Sequence, residues 1–162
     1  MRVLGLDPGT VATGYGLVLF ENGRLIFEGC GVWRPPAAMA FAEKLEFLSG
    51  GVARLLEERR PGAVSVETVF AARNISSAVK LSHARGALMA VAARFGIPVF
   101  EYAPRLVKKA LVGYGQAEKH QVRAMVLSLL ARNRSRVPLD AADALAVAIC
   151  HIHANGASGV RR

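Results

Sequence analysis

"VLGLDPGT", residues 3–10, decides how the fold begins: four apolar or small residues run into Asp7, and Pro8-Gly9 follows at once. Such a run reads as a short buried strand. A strand that ends on a carboxylate before a tight turn presents that charge at a sheet edge. A second stretch repeats the arrangement, with Ala63-Val64-Ser65-Val66 running into Glu67. If the two strands are parallel neighbours, both acids stand side by side at the carboxyl edge, where open α/β sheets place their sites.

Outward from these two strands, Asn22-Gly23 accepts the positive φ of a hairpin turn and joins a strand over Tyr15–Phe20 to one over Arg24–Val32. Phe41, Leu45, Leu48, Val52 and Leu55 recur at helical spacing after Pro35-Pro36. That helix is expected to loosen at Gly50-Gly51 and to end at Arg60-Pro61-Gly62. An alanine-rich helix, capped by Ser76 or Ser77 and closed by Gly96, precedes a fifth strand over Ile97–Glu101. Helices are expected near residues 104–112, 118–131 and 139–153. The order predicts an α/β fold, a five-stranded mixed sheet with helices on both faces. The length suits a single domain over residues 1–153, with residues 154–162 as a flexible tail.

Apolar residues make up 52% of the chain and charged ones 20%, a globular balance, and no apolar run approaches the roughly 20 residues of a membrane span. With an acid at position 7 and two cysteines in all, the cytoplasm is the expected compartment. Basic residues outnumber acidic ones 21 to 12, a net charge of +9, which favours a polyanionic partner, either nucleic acid or an anionic surface. From Ala103 to Arg136, Arg105, Lys108, Lys109, Lys119, Arg123, Arg132, Arg134 and Arg136 are set against one acid, Glu118. A merely solvated helix face mixes both signs.

The chain has three aspartates, Asp7, Asp140 and Asp143, the last two at i, i+3 in "DAADALAVAIC". They share one face of an otherwise apolar helix. Each acid also has a local role open to it. Asp140 can cap the helix, and Asp143 can meet the helix dipole. Asp7 can form a turn with Pro8-Gly9, and Glu67 can pair with an arginine such as Arg73. Gathered in one half-buried place, however, such carboxylates raise one another's pKa unless a cation offsets the repulsion. All-oxygen ligation selects a hard ion such as Mg²⁺. Two such ions about 4 Å apart suit phosphodiester cleavage. His151 and His153, at i, i+2, point to different faces, and His83 and His120 are isolated; none is assigned a role.

"GLDPGT", "TGYG", "VETVF", "ARN", "ARG", "VFEYAPRLVKKALVGYGQAEKHQV" and "DAADALAVAICH", in that order, resemble the RuvC family of bacterial Holliday junction resolvases from Arg2 to about His153. The resemblance implies a ribonuclease H-like fold, a homodimer, and Mg²⁺-dependent paired nicks across four-way junction DNA in recombination and repair. It implies two ions per site, Mn²⁺ as a substitute, and the branch-migration proteins RuvA and RuvB as partners. Position by position, the metal-binding acids are Asp7, Glu67, Asp140 and Asp143, with Asp7 shared between ions; the family also allows histidine at the third. Lys119 is expected at the scissile phosphate, completing the catalytic set, and Lys108 on the DNA backbone. Phe70 matches an aromatic that stacks on an opened base, beside Arg73 and Asn74; local core packing is the other role open to it. Arg105, Lys109 and Arg123 complete the expected DNA contacts. The Ala78–Ala93 helix, with Leu81, Leu88 and Met89, is the expected dimer interface, because a two-fold substrate calls for an isologous pair. One competing reading is a related nuclease on another structured nucleic acid, RNA processing included. A second takes "DPGT" as an actin-like phosphate loop, against which the length counts. A third is a non-catalytic junction-binding module, which would have no use for phosphate-repelling acids.

Overall fold

A computed structural model describes residues 1–68, 75–131 and 137–156 of the chain. In chain order the elements are β1 (Arg2–Asp7), β2 (Thr13–Glu21), β3 (Arg24–Trp33), α1 (Phe41–Arg59), β4 (Ala63–Glu67), α2 (Ile75–Arg94), β5 (Val99–Tyr102), α3 (Pro104–Val112), α4 (Lys119–Leu129) and α5 (Leu139–Gly156). The sheet order is β3-β2-β1-β4-β5. β1 pairs antiparallel with β2 and parallel with β4. β2 pairs antiparallel with β3, and β4 parallel with β5. β1, β3, β4 and β5 therefore run in one direction and end at one edge.

Strand periodicity sorts the side chains into two cores. Leu4, Leu6, Leu17, Val64 and Val66 pack with Leu48, Val52 and Leu56 of α1 and Leu88 and Ala92 of α2. Val3 and Val18 lie on the other face, under α3, α4 and the apolar side of α5. Each fully buried Leu or Val contributes roughly 1.5–3 kcal/mol, so both faces are fixed. Counting along the same alternation, Asp7 follows Val3 and Gly5, and Glu67 follows Ala63 and Ser65. Both acids face α5.

That helix lies unusually close to the sheet. A β-carbon on Gly5 would stand 2.0 Å from the Ala144 carbonyl oxygen, one on Gly14 2.0 Å from that of Asp140, and one on Gly16 2.6 Å from the Leu145 side chain. Glycine in β1 and β2 thus forms the shelf on which α5 rests, and the shelf sets the height of Asp140 and Asp143 above the strand ends.

Several sequence expectations need correction. α1 runs unbroken through Gly50-Gly51, because Gly51 seats the Trp33 indole, which would lie 2.8 Å from an added β-carbon, and Trp33 stacks on Tyr15 at 4.4 Å. Ser76 and Ser77 fall inside α2, which begins at Ile75, so neither caps it. Asp140 is the second residue of α5, not its cap, and the helix continues to Gly156 rather than His153. Leu88 is fully buried in the chain's own core, which removes it from the expected dimer face.

Candidate active site at the sheet edge

Asp7 closes β1 and Glu67 closes β4, and the parallel register Leu6↔Val66 sets them next to each other. Asp7 also lies opposite Gly14, whose face is covered by the backbone of Asp140. One helical turn on, Asp143 follows on the same side of α5. Residues 7, 67, 140 and 143 thus converge from two strands and one helix.

Their electrostatics report the convergence. The Asp7 carboxyl is pushed up to about 7, first by burial and then by the charges of Asp143 and Glu67; Lys119 pulls it down and Asp140 pushes it up. Glu67 is raised by burial and by Asp143, against the lowering effect of Lys119 and Lys108. The Lys119 ammonium is held in its charged form, chiefly by its hydrogen bond to Asp143 and further by Asp7 and Glu67. Lys119 Nζ donates to Asp143 Oδ2 at 3.0 Å. Crowded carboxylates of this kind are stable as anions only beside positive charge.

On one flank of the acids, an open cleft of about 240 Å³ is lined by Glu67, Lys108, Lys119 and Asp143 over a floor that includes Val107 and Ala146. Arg105 and Lys109 are exposed on α3. Arg123 is half-buried and donates to the Val137 carbonyl at 2.9 Å, tying α4 to the segment that leads into α5. Phe70, Arg73 and Asn74 lie outside the described residues, as do Arg132, Arg134 and Arg136. On the other flank stands a residue for which the sequence suggested no role. Arg34, directly after β3, donates from both terminal guanidinium nitrogens to Asp140 Oδ2, at 3.1 and 3.3 Å. The direction of β3 was its one sequence signal, since a hairpin from β2 returns that strand to the edge where Asp7 sits.

His151, which the sequence left without a role, belongs to the interior. It is bonded to the Tyr102 hydroxyl at 2.7 Å and to the Asn155 amide, and lies against the Phe100 ring at 4.4 Å. Burial lowers its pKa and keeps it neutral.

With the geometry in place, comparison with known proteins is informative. Residues 3–151 match the family model described as crossover junction endodeoxyribonuclease RuvC. A protein of that name from Maricaulis maris is 47% identical over 153 residues, covering 94% of this chain and 91% of the relative. One from Azorhizobium caulinodans is 44% identical over 162 residues, covering 100% and 95%. A solved structure, Thermus thermophilus RuvC in complex with Holliday junction substrate, is similar with a TM-score of 0.91 at 33% identity, covering 98% of this chain and 96% of that one. The mixed sheet flanked on both faces is the ribonuclease H-like arrangement expected from the sequence. By family model, by identity over nearly its whole length and by fold, this chain belongs to the crossover junction endodeoxyribonuclease RuvC family.

Proposed function

We infer that this protein resolves Holliday junctions by paired, symmetric, divalent-metal-dependent phosphodiester hydrolysis in recombination and repair. The observation that carries the reading is the convergence of Asp7, Glu67, Asp140 and Asp143 at one sheet edge, in a chain whose net charge is +9 with those four acids counted. A nuclease needs that contrast, with acids at the cut and cations around it.

The donor set fits a hard cation. It is all oxygen, and burial together with the charges of Asp143 and Glu67 raises the Asp7 carboxyl to about 7. As they stand, no three or more His, Cys, Asp or Glu side chains among the described residues are drawn in closely enough to hold an ion; Lys119 and Arg34 hold Asp143 and Asp140. Ion binding therefore competes with these two pairs. Asp7, Glu67, Asp140 and Asp143 would hold Mg²⁺, with Mn²⁺ able to replace it and two ions per site implied by the family resemblance. Bound there, the ions supply charge neutralisation and an activated water for in-line attack on phosphorus.

The chain's own groups do the rest. Lys119, released from Asp143, sits within reach of the scissile phosphate and neutralises charge developing there. Lys108, on the cleft wall, and the exposed Arg105 and Lys109 hold the flanking backbone, and such contacts make binding salt-dependent. Arg123, which also holds the Val137 carbonyl, lies on the same basic stretch as these contacts. Phe70, Arg73 and Asn74, which follow Glu67 in the sequence, stack on and steady bases at the opened crossover.

Two cuts on a two-fold substrate need two sites, so the active unit is a homodimer. Its contact face is the exposed side of α2, where Val79, His83, Gly86, Ala90 and Ala93 follow one another at helical spacing. No helix among the described residues is long and apolar enough to cross a membrane. The cytoplasm, alongside RuvA and RuvB, is the setting that fits.

A four-way junction, a plain duplex and an RNA–DNA hybrid offered to the same dimer, with and without Mg²⁺, test the reading. Paired nicks on the junction alone, only with metal, and from a species that sediments as a dimer are the expected result. Preferential cutting of the hybrid, or paired cutting by a monomer, would overturn it.

A further inference from the structure

Arg34 and Lys119 are both tied to candidate metal-binding acids, but only Lys119 lies on the cleft side. Arg34 stands beyond β3, at the opposite end of the sheet order. Its backbone is anchored: Trp33 is stacked on Tyr15 and seated on Gly51, and Pro35-Pro36 follows. Its side chain is not, being 58% exposed, with an Asp140 partner that is itself 38% exposed. An ion pair in that setting is a weak hold. Both guanidinium contacts, moreover, go to one carboxylate oxygen, so the fork does not make the bidentate pairing that strengthens arginine–carboxylate bonds.

Building on the junction-cleaving reading, we propose that Arg34 is a DNA-backbone contact held in reserve by Asp140 and handed to a substrate phosphate when a divalent ion takes that carboxylate. Asp140 keeps a cationic partner at every step. Without metal, Arg34 offsets Asp140; with metal, the ion offsets Asp140 and the guanidinium is left at the rim with no anion of its own. The nearest anion is then the strand drawn to the acids. Five strands at the usual spacing span roughly 19 Å, so a backbone crossing the sheet edge over Asp7 meets Lys108 and Lys119 on one side and Arg34 on the other. A cation on each flank fixes the direction of the strand as well as its attachment. Arg34 also makes DNA grip conditional on a loaded site.

The salt dependence of binding separates this role from a structural one. Full-length wild type, Arg34→Ala and Arg34→Lys are titrated with a labelled four-way junction over a range of NaCl, once in chelator and once with Ca²⁺ as the oxygen-seeking ion. With Ca²⁺, the logarithmic salt slope of Arg34→Ala is expected to be shallower than wild type by about 0.9 for each phosphate no longer neutralised, while Arg34→Lys keeps the wild-type slope. In chelator all three should share one slope. The Mg²⁺ concentration for half-maximal cutting should also fall in Arg34→Ala, because Asp140 no longer has to be released. Equal slopes for wild type and Arg34→Ala with Ca²⁺, or the same flattening in chelator, would overturn the proposal. A wild type that shows no preference for the junction over duplex would instead remove the reading on which it rests.

Discussion

Asp7→Asn is expected to abolish junction cleavage, keep junction binding, and make the metal-free protein more stable at pH 8 but not below about pH 4. The third effect follows from the raised carboxyl. Asp7 sits at about 7 in the fold, against about 3.9 in an unfolded chain, so the folded state binds the proton more tightly. Its stabilising contribution is complete below about pH 4 and is lost as pH rises through 7. The gap between those two values sets a ceiling of about 4 kcal/mol, and relaxation of the cluster brings the expected loss to about 1–3 kcal/mol. Asparagine cannot ionise and escapes that loss. A melting temperature higher by roughly 2–10 °C at pH 8, shrinking as pH falls and converging with wild type below about pH 4, is the expected readout without metal. Cutting should fall by at least about 10³-fold if Asp7 is shared by both ions, while junction affinity stays within a few-fold of wild type. Cleavage that survives the change would remove Asp7 from the mechanism. A stability difference that does not vary with pH would mean that neither burial nor its neighbours raise the Asp7 carboxyl.

The second large effect concerns the shelf under α5. In Gly14→Ala the new methyl would stand 2.0 Å from the Asp140 carbonyl oxygen and 2.4 Å from its carbon, both backbone atoms. Neither can rotate away, so the helix must lift, carrying Asp140 and Asp143 with it. Overpacking of this kind costs about 1–3 kcal/mol, and a displacement near 1 Å is enough to cost about 10²-fold in rate. Cutting should therefore fall by about 10²-fold in protein that is still folded. Gly50→Ala is the control, since its methyl would meet only Glu46 Oε1 at 3.8 Å. It should stabilise α1 by about 0.5–1 kcal/mol and leave cleavage unchanged. Thermal melts and single-turnover nicking on the same preparations check both. An active, fully stable Gly14→Ala would show that α5 need not lie so close.

The acids were legible in the sequence because each breaks a local pattern. Asp7 and Glu67 end strands whose other residues want burial, and Asp143 interrupts an apolar helix. The two strands pair in parallel, the condition on which the sequence set both acids side by side at the carboxyl edge. Arg34 was not legible, since an exposed arginine beside two prolines has no pattern to break, and its meaning depends on Asp140, 106 residues away. Gly5, Gly14 and Gly16 were equally silent. A glycine in a strand signals a close approach of some backbone without saying which one. Tertiary packing likewise overrode local cues at Gly50-Gly51, where the Trp33 ring occupies the space, and at Leu88, which turns inward rather than toward a partner.

Anomalous diffraction from crystals of the wild-type protein soaked in Mn²⁺ is the most direct measurement. Manganese coordinated by Asp7 together with Glu67, Asp140 or Asp143, with Lys119 and Arg34 swung off their carboxylates, is the expected result. Manganese bound elsewhere, or a site in which Asp143 stays on Lys119 and Asp140 on Arg34 at saturating metal, would contradict it.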